Sequence, residues 1–280
     1  MIADEYLKYD YLNKAHERPL VKILINYIRP SFLFKSEILT PMHLGRAVAK
    51  EASKDGVISD EDLKWLYQNC IGDDFEGGIS EYNRRIGFLT GTYWAWKNYE
   101  KLGNPEYFGS FGYRRLFAPS FLAHLKEYDL IVPEKRHLNL ETIREQFIRY
   151  HGKELFERLK SVFVQVYPDA KEDFEVYFEQ TSGYFDEIYV MKKEIFFDFC
   201  QWIFRLLFAF LKETPIKLPN NDLRDIGFMA ERLTGYYLNQ LILKNKLKYY
   251  EAEIVLTEKM VVNRSVLTPD LLERLRKNLK

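Results

Sequence analysis

Two adjacent arginines, Arg114 and Arg115, interrupt the apolar run "YFGSFGYRRLF" at residues 107–117. Guanidinium groups at the end of a strand bind phosphate through two parallel hydrogen bonds and need no metal to do so. In open α/β sheets, ligands sit in the crevice beyond the carboxyl ends of the strands. Tyr113, Arg114 and Arg115 therefore mark a candidate anion site. The competing role is structural, with one arginine paired to Asp73, Asp74 or Glu231 and locking a loop. Thr40, His43 and Arg46 in "TPMHLGRA" follow the first strand, at a strand-to-helix connection where backbone N–H groups and side chains meet a nucleotide. A lone histidine there serves equally as a helix-start hydrogen-bonding residue. In the glycine-rich loop "IGDDFEGG", the neighbours Asp73 and Asp74 suit ribose or sugar hydroxyls. A divalent cation or plain solvation are the alternatives, the cation disfavoured because the pair lies in a loop and not at a strand end. In "TYWAWKN", Tyr93, Trp94 and Trp96 cannot all face one way, so one is core and another is open to a pocket. Lys97 and Asn98 either reach a phosphate or a sugar, or simply end an exposed helix.

Those residues need a scaffold, and the patterning supplies one. Residues 21–28, "VKILINYI", have the β-branched content of a strand and feed residues 36–52, whose later part has helical spacing. Ser59 is a plausible N-cap for the helix "SDEDLKWLYQN", with Asp62 three residues on. Residues 89–102 form an amphipathic helix, followed after the turn "GNPE" by the strand that carries the arginines. "APSFLAHLKEY" is a short helix, "DLIVP" a short strand, and residues 140–180 are mostly helical. "EIYVM" returns to strand, "GFMAERLTGYYLNQLIL" is a helix, and "KYYEAEIVL" is a strand. Strands alternating with helices predict an α/β sheet with an inserted helical block. The expected organisation is an N-terminal extension over 1–20, one domain over 21–260 with the insertion at about 140–180, and a helical tail over 261–280. The tail sequence "TPDLLERLRKNLK" suits dimerisation, a membrane surface or a cap on the fold, and spacing does not choose between them.

Composition excludes several classes. With 41 Lys+Arg against 41 Asp+Glu the formal charge is +0, so no overall basic field recruits nucleic acid and any anion site is local. Cys70 and Cys200 match no metal-ligand spacing and are too few for a disulfide framework, which fits a reducing, cytoplasmic compartment. The N-terminus has no apolar core of a signal peptide. The apolar run at 195–211 carries Asp198, Gln201 and Arg205 and falls short of the ~20 residues of a membrane span, so it reads as a buried helix, with the membrane surface as the weaker option.

The ordered set "ILTPMHLGRA", "GISEYNRRIGFLTGTYWAWKN", "YFGSFGYRRLF", "YDLIVPEK", "REQFIRYH", "YVMKKEIFFDFCQWIF" and "GFMAERL" covers nearly the whole chain. It resembles the signature of a bacterial family of capsular and exopolysaccharide biosynthesis, first described as a domain of unknown function and later recognised as glycosyltransferases, galactofuranosyltransferases among them. Two positions depart from that signature. Gly112 stands where a histidine precedes "YRR", and Phe88 stands where an acidic residue precedes "LT". The departures signal either a changed sugar specificity or lost catalysis.

The resemblance implies a Rossmann-like, single-sheet, GT-A-like fold and transfer of a sugar from a nucleoside diphosphate, UDP-linked for preference, to a glycan or lipid-linked acceptor. It also implies peripheral contact with the cytoplasmic face of a membrane. In such a transfer the departing diphosphate needs positive charge, for which Arg114 and Arg115 are in place without a metal; manganese or magnesium at Asp73 and Asp74 is the competing arrangement. An inverting transfer needs a base for the acceptor hydroxyl. Glu231 in "GFMAERL" is the first candidate and Asp186 in "SGYFDEIYV" the second, with a helix-dipole or ion-pair role as the bland alternative for Glu231. Arg232 is a further anion contact or a surface charge. His151 in "RYHGKEL" belongs to the helical insertion, where acceptor contact is its functional alternative. The opposing hypothesis is an inactive relative that binds a glycan or scaffolds polysaccharide assembly.

Overall fold

The computed structural model describes residues 2–14, 17–53, 56–218, 222–244 and 247–257. Helices α1 (Ile2–Leu7) and α2 (Tyr11–Lys14) lead into strand β1 (Val21–Tyr27). The N-terminal extension is tied to the domain, because the buried Tyr6 hydroxyl donates to the Phe117 carbonyl at 2.7 Å and the Asn13 amide donates to the carbonyls of Val21 and Glu37. Then follow β2 (Leu39–His43), α3 (Asp60–Asn69), β3 (Ile71–Gly72), α4 (Asn83–Ile86), α5 (Leu89–Lys97) and β4 (Tyr107–Gly112). Ser59 does cap α3, its side chain accepting from the Asp62 N–H. Strand β5 (Arg115–Phe117), a 3₁₀ helix (Pro119–Glu127), β6 (Leu130–Pro133) and β7 (Arg136–His137) precede the helical block of α6 (Ile143–His151), α7 (Lys153–Val166) and α8 (Lys171–Phe178). The chain continues through β8 (Ser182–Gly183), β9 (Tyr189–Lys192), α9 (Lys193–Leu211), α10 (Asp225–Lys244), β10 (Tyr249–Ala252) and β11 (Ile254–Leu256).

The main sheet runs β10-β6-β9-β4-β1-β2-β3, with β5 joining β4 to β11 and β7 pairing with β8 in a separate ribbon. Strands β1, β2, β3 and β4 are mutually parallel; β9 is antiparallel to both β4 and β6, and β10 is parallel to β6. The carboxyl ends of β1, β2, β3, β4, β6 and β10 therefore lie along one edge, and the amino end of β9 joins them there. β1 is buried along almost its whole length, as expected of a strand covered on both faces. Its side chains alternate between two apolar layers: Leu24 packs with Met42, Phe108 and helices α5, α9 and α10, whereas Ile23, Ile25 and Tyr27 pack with α1, α3 and the 3₁₀ helix. The residues buried in α7 and α8 belong to the first of these layers.

Two readings of the sequence need correction. Residues 39–43, read as part of a connection leading into a helix, form β2, and only a 3₁₀ turn (Arg46–Val48) follows. Pro41 disguises the strand, but β3 pairs with β2 only at Met42 and His43, so the missing N–H costs little. The single strand read at 248–256 breaks at Glu253, with β10 on β6 and β11 turning onto β5. The apolar run at 195–211 is a core helix, α9, and no helix among the described residues is long and apolar enough to cross a membrane. The tail over 261–280 lies outside the described residues.

Candidate functional site

Arg114 and Arg115 stand at the carboxyl edge because β4 ends at Gly112 and turns back into β5 through a single pair, Gly112 to Arg115. Hydrogen bonds hold that turn from both sides. The Tyr113 N–H donates to the Asn26 carbonyl at 3.2 Å and the Thr257 N–H donates to the Arg114 carbonyl at 3.1 Å. The Thr257 hydroxyl donates to the Tyr113 carbonyl at 2.8 Å. Tyr113 itself is buried, stacked on Tyr27 at 5.3 Å, and its hydroxyl accepts from Arg29 Nε at 2.8 Å. It positions the turn and is not open to a donor. Arg114 is exposed, with its guanidinium 5.3 Å from the Tyr113 ring centre and no carboxylate of the described residues within ion-pair reach.

Arg115 pairs with Asp186, Nη1 to Oδ1 at 3.3 Å, and not with Asp73, Asp74 or Glu231. The other Asp186 oxygen accepts from Arg136 Nη2 at 2.5 Å. The Asp186 N–H donates to Glu231 Oε1 at 3.2 Å, and Arg232 Nη1 donates to the same oxygen at 2.9 Å. Arg232 is buried, and its Nη2 donates to Gln146 Oε1 of α6 at 2.6 Å. Asp186 and Glu187 both have left-handed backbones, φ 76° and 49°. Such conformations cost of order 1–3 kcal/mol each for residues other than glycine and cluster at functional sites. Glu187 Oε1 is buried without a hydrogen-bond partner among the described residues. Burial, then the Glu231 charge, pushes the Glu187 carboxyl well above the usual carboxylate range. For Glu231 burial acts upward but is outweighed by Arg232, the Asp186 N–H and His151, and the net shift is downward. Glu231 is thus an ionised carboxylate whose side chain remains 26% exposed. His151 stacks on Phe228 at 4.0 Å, and burial followed by the Arg232 charge lowers its pKa to about 4, so the ring beside this cluster is neutral.

Helix α10 delivers Glu231 and Arg232 because its start is anchored. Asp225, its first residue, is buried and takes two hydrogen bonds from Arg85, at 3.0 and 2.7 Å. One turn beyond Glu231, Gly235 lets the helix approach the loop ahead of Asp186: a Cβ there would lie 2.2 Å from the Tyr184 carbonyl oxygen.

Asp73 has a different task from the one its sequence suggests. Its carboxylate accepts from the N–H groups of Gly45 (2.7 Å) and Arg46 (3.0 Å) and from the hydroxyls of Ser80 (2.5 Å) and Thr90 (2.6 Å). Both oxygens are committed to shaping the loop after β2, so a cation or sugar hydroxyl would have to displace those donors. Asp74 is more open, 3.9 Å from Arg46 Nε. The loop that Asp73 holds floors a small open cleft of ≈ 50 Å³ at the ends of β1 and β2, lined by Ile28, His43, Leu44, Gly45 and Arg84 among others. His43 ends β2 and is buried; Arg46 Nη2 donates to the Cys70 carbonyl at 2.7 Å, and its guanidinium lies 4.6 Å from the Tyr67 ring centre. Thr40 is an interior β2 residue paired with Leu24.

Three donor candidates fall away from the site. The start of α5 lies at the carboxyl edge, with Phe88 against Gly112 and Gly91 against Asn26, whereas the glycine that follows its C-terminal turn, Gly103, abuts Pro19 at the opposite edge. Lys97 and Asn98 are therefore at the far end: Lys97 Nζ sits 3.5 Å from the Trp96 ring centre, and the Asn98 amide caps its own helix by donating to the Trp94 carbonyl. Trp94 is buried in the helical layer. The two departing positions, by contrast, touch: a Cβ at Gly112 would lie 3.3 Å from the Phe88 ring. Arg136 and Glu187 were missed. Arg136 follows the carboxyl end of β6 and obeys the same rule that finds Arg114 and Arg115, whereas Glu187 precedes a strand whose antiparallel direction is not visible in the sequence.

Residues 22–245 match the family model described as a domain of unknown function, DUF4422. No curated protein matches the chain. Among solved structures it is similar to the apo structure of WbbM, a bifunctional glycosyltransferase, with a TM-score of 0.70 and 22% identity over 89% of this chain and 47% of that one. The chain thus spans about half the length of that protein. The shared fold is the mixed α/β, GT-A-like one, with a mostly parallel sheet.

Proposed function

We infer that the chain, a member of the DUF4422 family, is a glycosyltransferase, because its fold is that of the bifunctional glycosyltransferase WbbM. It moves a sugar, galactofuranose or another hexose, from a nucleoside diphosphate to a glycan or lipid-linked acceptor in the synthesis of surface polysaccharide at the cytoplasmic face of the membrane. The observation that supports this reading is the chain of contacts at the carboxyl edge, from Arg115 through Asp186 to Glu231 and Arg232. In this reading the nucleoside lies in the cleft at the ends of β1 and β2, and its diphosphate reaches Arg114 and Arg115. The acceptor oxygen attacks the anomeric carbon, the bond to the diphosphate breaks, and its electron pair passes to the phosphate oxygen, where the guanidinium charge offsets it. The acceptor proton goes to Glu231, which is ionised, although its lowered pKa limits its strength as a base.

Titration with UDP and incubation with a panel of UDP-sugars tests this. Arg114→Ala is expected to weaken UDP binding tenfold or more, by the loss of a charge-assisted contact worth about 1.5–3 kcal/mol. Glu231→Gln is expected to keep UDP binding and lose at least 100-fold in transfer, in line with removal of a general base. A fully active Glu231→Gln would pass the role of base to another group. A second reading, an inactive relative that binds a glycan or scaffolds polysaccharide assembly, is favoured by the Phe88 ring packed on Gly112, where the family signature places an acid and a histidine. A folded protein that binds a glycan, and neither binds nor hydrolyses any nucleotide sugar, would establish it.

A further inference from the structure

Asp186 is an anion held between two cations. Arg115 stands on one carboxylate oxygen and Arg136 on the other. The two arginines come from different strands, β5 and β7, that the sheet order places beside the loop before β9. The Asp186 side chain is 9% exposed, while Arg136 is 52% and Arg115 29% exposed, so the guanidinium pair opens outward and the carboxylate occupies its inner side. The turn that carries the carboxylate is strained twice. Two successive residues other than glycine, Asp186 and Glu187, are left-handed, and Glu187 Oε1 is buried without a hydrogen-bond partner among the described residues. A turn with these costs persists only while its surroundings hold it, and what holds Asp186 is the arginine pair together with the contact from its N–H to Glu231.

The geometry points to Arg115 and Arg136 as a phosphate seat in which the Asp186 carboxylate is the resident stand-in, displaced when a diphosphate arrives. The chemistry fits: each guanidinium presents paired N–H donors to two oxygens, which a phosphate offers as well as a carboxylate does, and with more negative charge. Arg136 becomes a donor-binding residue, and Asp186 becomes a competitor of the donor in place of the second candidate for base. Displacement also frees the Asp186 turn beside Glu231, so that seating the diphosphate and rearranging the base's surroundings are one event. This deepens the proposed function and rests on it for the identity of the diphosphate as that of a nucleotide sugar.

The two ideas separate by the sign of an effect. A residue that touches substrate weakens binding when neutralised, whereas an internal competitor strengthens it. Calorimetric titration with UDP and with inorganic pyrophosphate is carried out on the wild type, Asp186→Asn, Asp186→Gly and Arg136→Gln. The glycine variant removes the carboxylate while suiting the positive φ, so a folding defect of the asparagine variant does not obscure the result. Both Asp186 variants are expected to bind both ligands about tenfold tighter than the wild type, a size typical of coupled sites. Arg136→Gln is expected to bind both about tenfold more weakly. Unchanged or weaker binding in both Asp186 variants, or wild-type affinity in Arg136→Gln, would overturn the seat. Pyrophosphate bound more tightly by the Asp186 variants with no response to UDP would uphold the seat and remove the nucleotide-sugar reading. UDP binding lost in Arg114→Ala but indifferent to positions 136 and 186 would do the reverse.

Discussion

His43 closes β2 with its imidazole buried and its Nδ1 3.3 Å from Arg46 Nε. Arginine only donates, so Nδ1 accepts and the neutral ring carries its proton on Nε2. Burial, then the Arg46 charge, lowers the pKa from 6.5 to about 4. In the unfolded chain the ring titrates near its ordinary value, so between pH 6.5 and 4 the unfolded state binds the extra proton and stability falls with falling pH. Above that window neither state binds it and the contribution is constant. The gap amounts to roughly 3 kcal/mol once the ring must be protonated. His151, lowered to about 4 by burial and Arg232, acts in the same direction. The melting temperature of the wild type should therefore drop more steeply from pH 7 to pH 4 than that of His43→Gln, the slope that remains coming from His151 and from the carboxylates whose pKa the fold lowers, Glu231 and Asp129. Parallel slopes would mean that the His43 ring is accessible to protons in the native state.

At the scale of elements, the site depends on how closely α10 lies against the loop before β9, and Gly235 sets that approach. An alanine there would place its Cβ 2.2 Å from the Tyr184 carbonyl oxygen and 2.6 Å from the Tyr177 hydroxyl. The intrinsic gain in helix propensity, about 1 kcal/mol, is opposed by overpacking that costs about 1–3 kcal/mol against a backbone atom that cannot swing aside. Gly235→Ala should thus lose up to about 2 kcal/mol net in denaturant unfolding, and transfer should fall further than stability because Glu231 lies one turn away. A stabilised variant would show that the helix is free to move. None of this was legible in the sequence, where Gly235 is one glycine in a long helix. Legibility followed locality. Arg114 and Arg115 were readable because their place at a strand end is a property of eleven consecutive residues, and α9 was readable from its own apolar pattern. β2 was hidden by Pro41. Lys97 and Asn98 were misplaced because the direction of α5 relative to the sheet is set by tertiary packing. The loop-shaping task of Asp73 is hidden because its four donors come from residues up to 28 positions away. The meeting of Asp186 with Glu231 spans 45 residues and requires the antiparallel insertion of β9, which no local pattern announces.

For the molecule as a whole, positive charge has been concentrated without any net charge. The formal balance is +0, yet Arg114, Arg115, Arg136 and Arg232 stand at one edge of the sheet. A local field of this kind attracts an anion over about a Debye length, ~8–10 Å at physiological salt, and does little beyond it. The acidic alternative is poorly disposed for a cation: Asp73 has both oxygens engaged by four donors, and Asp74 lies beside Arg46. Displacing those donors would unmake the loop after β2 that floors the neighbouring cleft. The proposed function therefore expects guanidinium groups to neutralise the charge of the departing diphosphate. Two consequences can be measured together. Transfer by the purified protein should be unchanged by excess EDTA and by added manganese, and UDP affinity should decline with rising salt, because the attraction is between exposed charges. Activity abolished by EDTA and restored by manganese would assign the diphosphate to a cation and promote Asp74. Asp73→Asn would then report which of its functions prevails, since a loop-shaping carboxylate lost to an amide lowers the melting temperature with or without metal, whereas a ligand to manganese lowers it only when the metal is present.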